Sequence, residues 1–233
     1  MDLTTGLACF AEAIGAGESE RQCLIEALRP HARIHRVADG LEPKFDQGRA
    51  TLVYVVSGHA KLVARSPDGR AQVVAFHFKG DVVEVPSRAD HNYSVCAIGT
   101  CELLAFAHAE LLGAVRGNPA FLEAVFGSVI DGLVRCRENA INLGRKSASE
   151  RVAGFLLTMA RHGKRGQDGA LVVELPMSRR DVSDCLGLTI ETISRQISDL
   201  RKQGLIATPS RARVELLDAD GLRERANHFA SAK

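Results

Sequence analysis

Three side chains within five residues, Glu191, Ser194 and Arg195, suit one kind of chemistry: reading the edges of base pairs. An arginine fork matches the two major-groove acceptors of guanine. A glutamate accepts from the cytosine amino group, and a serine hydroxyl bonds several base edges. Around them lie groups suited to phosphate: Arg179, Arg180, Thr189, Thr192, Ser198, Arg201, Lys202, Arg211 and Arg213. Such cations and hydroxyls hold a protein on a duplex without reading its sequence.

These groups need a rigid carrier, and residues 176–217 supply the signals for one. Ser178 is an N-cap, with Asp181 three residues on, where a carboxylate favours a helix start. Val182 and Leu186 point inward, and Gly187 supplies the backbone angles that end the helix. Thr189 caps a second helix whose buried stripe is Ile193, Ile197 and Leu200, and Gly204 ends it. Two short helices joined at a glycine turn predict a helix-turn-helix. The runs Leu205–Pro209 and Val214–Leu217 read as a small hairpin, the wing of a winged helix. Charge agrees with this reading. Residues 145–213 carry 13 Lys and Arg against 7 Asp and Glu, a net +6, whereas residues 1–144 carry 14 against 17, a net −3. A basic segment of this kind suits a polyanion.

Upstream, Ser147 or Ser149 opens a helix through Val152, Phe155, Leu156 and Met159. A polar loop follows at residues 164–169, then a short strand at 171–175. Before that, Asn118-Pro119 signals a helix start, and no proline intervenes as far as Leu143. Phe121, Leu122, Val125, Val129, Leu133, Cys136, Ala140 and Leu143 recur at steps of one, three or four. This stripe on a helix of about 25 residues has coiled-coil character, so a second copy of the chain is the expected partner, through Val125, Val129, Leu133, Cys136, Ala140 and Leu143. Between about 31 and 107 the texture is β-rich. The runs 52–56, 60–64, 72–78, 93–98 and 102–106 are separated by Ser57-Gly58, Ser66-Pro67-Asp68-Gly69, Lys79-Gly80-Asp81 and Gly99-Thr100. Short strands at near-regular spacing predict an antiparallel barrel or sandwich. Residues 1–30 read as one or two short helices ending at Pro30. The expected class is therefore α+β, with a sensor domain at 1–117, a dimerisation helix at 118–145 and a DNA-binding domain at 146–233.

Length and composition narrow the classes. A chain of 233 residues, 45% hydrophobic and 25% charged, is globular, and its net charge of +2 excludes a wholesale polycation. No apolar run approaches the roughly 20 residues of a membrane span. The N-terminus lacks the pattern of a secretory signal, so a cytoplasmic protein is expected. Cys9, Cys23, Cys96, Cys101, Cys136 and Cys185 include no CxxC pair and do not suggest disulfides. Cys185 is singled out as a redox candidate, because the neighbouring Arg179 and Arg180 and a DNA-facing position would lower its pKa. A cupin-like metal enzyme is the competing class. It finds only His77 and Glu84 near each other on the strands, no HxH motif, and no nucleophile–base set.

The stretch MSRRDVSDCLGLTIETISRQISDLRKQGLI resembles the DNA-binding motif of the CRP/FNR family of bacterial transcription regulators. SASERVAGFLL resembles the helix that leads into it, and VYVVSGHAKLVARSPDGRAQVVAFHFKGDVV resembles the family's cyclic-nucleotide-binding-like β-roll. The resemblance spans roughly residues 30–225. Glu191-Thr192-Ile193-Ser194-Arg195 matches the reading set of the FNR and FixK branches. It implies a TTGAT…ATCAA palindrome, with Arg195 on the guanine, Ser194 on a thymine and Glu191 on the inner pair. It also implies a homodimer, an RNA polymerase partner, activation and an oxygen- or redox-responsive circuit. The family's cyclic-nucleotide binders use an Arg-Ser pair on the phosphate. Here His91-Asn92 stand near that place, with Arg88 close by, so no cyclic nucleotide is expected. The cysteine spacing departs from the FNR cluster pattern. No cofactor is expected, with an iron–sulfur cluster on Cys9, Cys23, Cys96 and Cys101 as an alternative. Haem on one of His31, His35, His59, His77, His91 or His108 is another.

Overall fold

The computed structural model describes residues 1–45, 49–87, 91–165 and 171–226. It divides into two compact units that meet inside one helix, between Arg135 and Cys136. The expected division left that helix as a separate piece ending at residue 145. The last turns of that helix are tied into the C-terminal unit by the side chains described below.

The N-terminal unit opens with α1 (Leu3–Ala13) and α2 (Glu18–Leu28). Asp2 caps α1 by accepting from the Thr5 N–H at 2.8 Å. Pro30 sits in a single 3-10 turn, Arg29–His31, rather than at the end of α2. The strands are β1 (Ala32–Val37), β2 (Thr51–Arg65), β3 (Ala71–Phe78), β4 (Val82–Val85) and β5 (Asn92–Ala107). They pair antiparallel in the order β1-β5-β2-β3, with β4 also on β2. Then come α3 (His108–Val115) and α4 (Pro119–Arg145). Asn118 caps α4, its Oδ1 accepting from the Phe121 N–H at 3.0 Å.

Two expected strand breaks are absent. Ser57-Gly58 and Gly99-Thr100 lie inside β2 and β5, which run on past them. The register shifts between Val55 and His59. Gly58 has φ +78°, and a Cβ there would lie 2.4 Å from the Thr100 carbonyl oxygen. An irregularity of this kind bends a long strand without ending it. Strands β1 and β4 carry little signal in the sequence. In β1 the charged Arg33, His35 and Arg36 blur the alternation, and β4 is only four residues long.

Both faces of β2 are covered, which explains why Leu52-Val53-Tyr54-Val55-Val56 is apolar throughout rather than alternating. Leu52, Tyr54 and Val56 join Phe10, Leu104, Phe106 and Phe121 under the helices. Val53 and Val55 join Val83, Val95 and Leu103 on the other side. The Phe10 ring lies 5.3 Å from Tyr54, 5.1 Å from Phe106 and 6.1 Å from Phe121, binding α1 and the start of α4 to the sheet. Fully burying an aromatic or leucine side chain contributes about 1.5–3 kcal/mol.

The C-terminal unit continues from α4 into α5 (Ala148–Ala160), β6 (Lys164–Arg165), β7 (Leu171–Glu174), α6 (Arg179–Leu186), α7 (Ile190–Lys202), β8 (Ile206–Ser210), β9 (Arg213–Leu216) and α8 (Ala219–Ala226). Its antiparallel sheet runs β6-β7-β9-β8. Ser147, not Ser149, caps α5, in a reciprocal box with Glu150. The polar loop expected at 164–169 begins as strand, since Lys164 and Arg165 pair with Val172 and Leu171. Its remainder lies outside the described residues. The observed α+β architecture is a β-roll unit, a long helix and a winged helix-turn-helix.

Candidate nucleic-acid interface

Helix α6 starts at the expected cap. Ser178 Oγ accepts from the Asp181 N–H at 3.1 Å, and the Asp181 carboxylate accepts from the Ser178 N–H at 3.0 Å. It ends at Gly187, φ +60°, in the left-handed region that glycine occupies without a Cβ clash. Thr189 then caps α7, its Oγ1 accepting from the Thr192 N–H at 3.2 Å. Ile193, Ile197 and Leu200 are buried as expected, in a helix that packs against α5, α6 and β8. Burial of that stripe fixes which face of α7 is left outside.

Glu191, Ser194 and Arg195 all stand exposed on the outward face of its first two turns. Among the described residues, the Ser194 hydroxyl and the Arg195 guanidinium make no side-chain hydrogen bond. The Glu191 carboxyl is held below the usual range by its own backbone N–H and by Thr189, so it is an ionised acceptor. Ile190, 41% exposed on the same turn, is an apolar surface that the polar motif did not point to. An exposed isoleucine beside base-reading groups can contact a thymine methyl.

The phosphate set divides. Arg180, Arg201, Lys202 and Arg211 are exposed. Arg179 is half-buried, donates from Nη2 to the Arg211 carbonyl at 3.4 Å, and is lowered in pKa by burial and by Arg211. Arg213 is paired with Glu215 at 3.3 Å, two residues along the same wing strand. Ser198 Oγ donates to the Ser194 carbonyl at 2.9 Å, so its hydroxyl is turned onto its own helix. Thr189 and Thr192 share a hydroxyl–hydroxyl contact of 3.1 Å.

Cys185 does not stand where the redox reading needs it. The thiol is buried on the inner side of α6, and burial, aided by Asp184, pushes its pKa up to about 12. The neighbouring arginines do not offset that desolvation, because a charged sulfur in an apolar site loses its water.

Along α4, Val125 packs partly into the N-terminal core and Leu143 is half-buried in the C-terminal unit. Val129, Leu133, Cys136 and Ala140 are exposed. So are Phe126 at 67%, Ile130, Val134 and Ile141, which widen the apolar stripe beyond the expected residues. A contiguous exposed apolar face of this kind marks an interaction surface.

The cysteines do not assemble as ligands. Cys9 is half-buried, Cys23 is exposed, and Cys96 and Cys101 are buried in β5. Burial and the Glu102 carboxylate push the Cys101 thiol up to about 11. Among the described residues, no three His, Cys, Asp or Glu side chains are grouped to hold a metal. Asn92 begins β5, His91 lies in the bend just before it, and Arg88 lies outside the described residues. Among the described residues, no helix is long and apolar enough to cross a membrane.

The profile of the Crp-like helix-turn-helix domain matches residues 150–225, and that of the cyclic nucleotide-binding domain matches residues 44–118. The nitrogen fixation regulation protein FixK of Azorhizobium caulinodans is 37% identical over 216 residues, 92% of this chain and 86% of that protein. The transcriptional activator protein FnrL of Cereibacter sphaeroides is 33% identical over 176 residues, 74% of this chain and 71% of that one. The solved structure of FixK2 from Bradyrhizobium japonicum is 30% identical, with a TM-score of 0.72 over 83% of this chain and 96% of its own.

Proposed function

Because the chain belongs to the CRP/FNR family of transcription regulators, in its FixK-like branch, we propose that it acts as a homodimer on a TTGAT-type palindrome. It is a DNA-binding transcription regulator, and the relatives named above are regulators rather than enzymes. The observation that carries the finer reading is the exposed Glu191, Ser194 and Arg195 on the capped first turns of α7, two of them without a side-chain partner among the described residues.

In this reading Arg195 grips the guanine of each half-site with both arms of its fork. Ser194 meets a neighbouring thymine, and Glu191, ionised, accepts from the inner pair. Ile190 adds an apolar contact to a thymine methyl. Arg180, Arg201, Lys202 and Arg211 meet phosphates and set the register, with Thr189 and Thr192 at the helix start. The exposed stripe of α4 pairs with its copy in a second chain, setting two recognition helices about 34–36 Å apart along one face of the duplex. The relative FnrL is named a transcriptional activator, which supports activation here, and the family resemblance implies RNA polymerase as partner and a cytoplasmic location. The branch resemblance supports an oxygen- or redox-responsive circuit.

The dispersed cysteines support a chain without a resident cofactor. An absorption spectrum and iron assay of anaerobically purified protein test this: no visible bands and no iron are expected, and a haem or cluster band would reverse the reading. The main test is a gel shift on a TTGAT-type palindrome. Arg195→Ala is expected to weaken binding by about 1–3 kcal/mol and relax the guanine preference. Weak binding to every duplex alike, unchanged by that substitution, would refute base reading.

A further inference from the structure

Arg151, on α5, has none of the roles assigned above, yet its guanidinium donates three hydrogen bonds to backbone carbonyls. Nε reaches Lys146 O at 2.9 Å, Nη1 reaches Leu186 O at 3.1 Å and Nη2 reaches Leu143 O at 2.7 Å. Leu143 lies in the last turn of α4, and Leu186 is the last residue of α6. Had α4 continued, the Leu143 carbonyl would accept from the Ser147 N–H. That N–H is turned instead to the Glu150 carboxylate, at 2.7 Å, by the cap of α5. The orphaned carbonyl passes to Arg151, and so does the terminal carbonyl of α6. A single cation therefore closes the negative ends of two helices. The packing beside it is close. A Cβ on Gly187 would lie 3.3 Å from Leu143 Cδ2 and 3.7 Å from Arg151 Nη1. The turn of the helix-turn-helix thus rests on the end of α4.

We propose that Arg151 is a positioning residue for DNA reading. It holds α6, and through the Gly187 turn the recognition helix α7, at a set angle to the last turns of α4. The inference rests on the homodimer reading: when α4 pairs with a second copy, that angle decides how far apart the two recognition helices stand. Arg151 is then a determinant of which half-site spacing the dimer accepts, without touching DNA. A lysine keeps the charge but cannot meet three divergent carbonyls from one point. A methionine keeps much of the stem and removes every donor.

The test uses the full chain, as wild type, Arg151→Lys and Arg151→Met. Binding is followed by fluorescence anisotropy on duplexes carrying two TTGAT-type half-sites whose spacer is stepped by single base pairs, and on a single half-site. The wild type is expected to show a sharp spacing optimum. Arg151→Met loses about tenfold at that optimum and little on the single half-site, so its profile broadens. Arg151→Lys falls between. Variants that keep the wild-type optimum and sharpness would overturn the proposal. So would a loss equal at every spacing and on the single half-site, which is what a merely structural role predicts. Should Arg151→Met fail to fold by circular dichroism, Arg151→Lys is judged by the same criteria. A wild type with no spacing optimum would instead sink the paired reading itself, and this inference with it.

Discussion

The two units use their charged side chains differently. In the N-terminal unit many are committed to each other. Glu102 accepts from Arg36 at 3.0 Å and from Ser57 at 3.1 Å. Its carboxyl sits at about 2, chiefly through the N-terminal ammonium and then Arg36. Arg49 pairs with Glu110 at 3.0 Å, and Arg65 pairs with Glu42. In the C-terminal unit Arg195 stands exposed without a partner among the described residues, and Arg180, Arg201, Lys202 and Arg211 are exposed as well. Arg213 and Arg223 in this unit do pair with carboxylates, of Glu215 and Asp220, whereas Arg151 is held by backbone carbonyls. The contrast teaches that a near-neutral total charge conceals one unit in which many charges are paired and another that leaves a group of its cations exposed, as a polyanion requires.

The largest expected effect comes from breaking the support rather than the surface. Leu200→Ala removes a fully buried side chain beneath α7 and is expected to cost about 2–5 kcal/mol of stability, read as a lower melting temperature with DNA binding lost in parallel. An unchanged melt would mean that the stripe does not hold the helix. Arg195→Ala comes next, losing about 1–3 kcal/mol on the palindrome while the melt stays put, since no internal contact is removed. Arg211→Ala is smaller and sequence-independent. The slope of log affinity against log salt should fall by about 1, alike on specific and random duplexes, and a sequence-dependent loss would move Arg211 into the reading set.

The smallest effect near neutral pH belongs to His77 in the N-terminal unit. It is buried, with Nδ1 3.8 Å from the Asp81 carboxylate. Burial outweighs that attraction, the Arg135 charge also disfavours the protonated ring, and the pKa falls from 6.5 to about 4. Between those values the unfolded chain binds a proton that the folded chain refuses. Stability should therefore be full above pH 6.5 and decline as pH falls towards 4. His77→Gln, which cannot titrate, should flatten that limb of a melting-temperature profile. An equally steep limb in the variant would place the acid sensitivity elsewhere.

Much of the reading head was legible in the sequence because its determinants are local. Ser178 with Asp181, Gly187, Thr189 and the Ile193–Leu200 stripe act within a turn or two of themselves. The β-roll was legible as texture but not as boundaries. Gly58 looks like a stop until Thr100, from another strand, is seen across it. Cys185 misled for a related reason: Arg179 and Arg180 are neighbours in the chain, but the thiol points away from solvent. Exposed Ile190 and Phe126 carried no signal of their own, since an apolar residue in an amphipathic helix reads first as core.

By itself the sequence determined the caps, the glycine turn, the buried stripe of α7 and the basic bias around it, all set by neighbours along the chain. Only the tertiary structure decided that α4 is shared between two units and that Arg151 gathers the carbonyls of Leu143, Lys146 and Leu186. Likewise, only the fold left Arg195 exposed and without a partner among the described residues. Carbonyls look alike in every residue, so which of them lack a partner, and which cation can reach them, is settled only when helix ends from distant stretches are brought together.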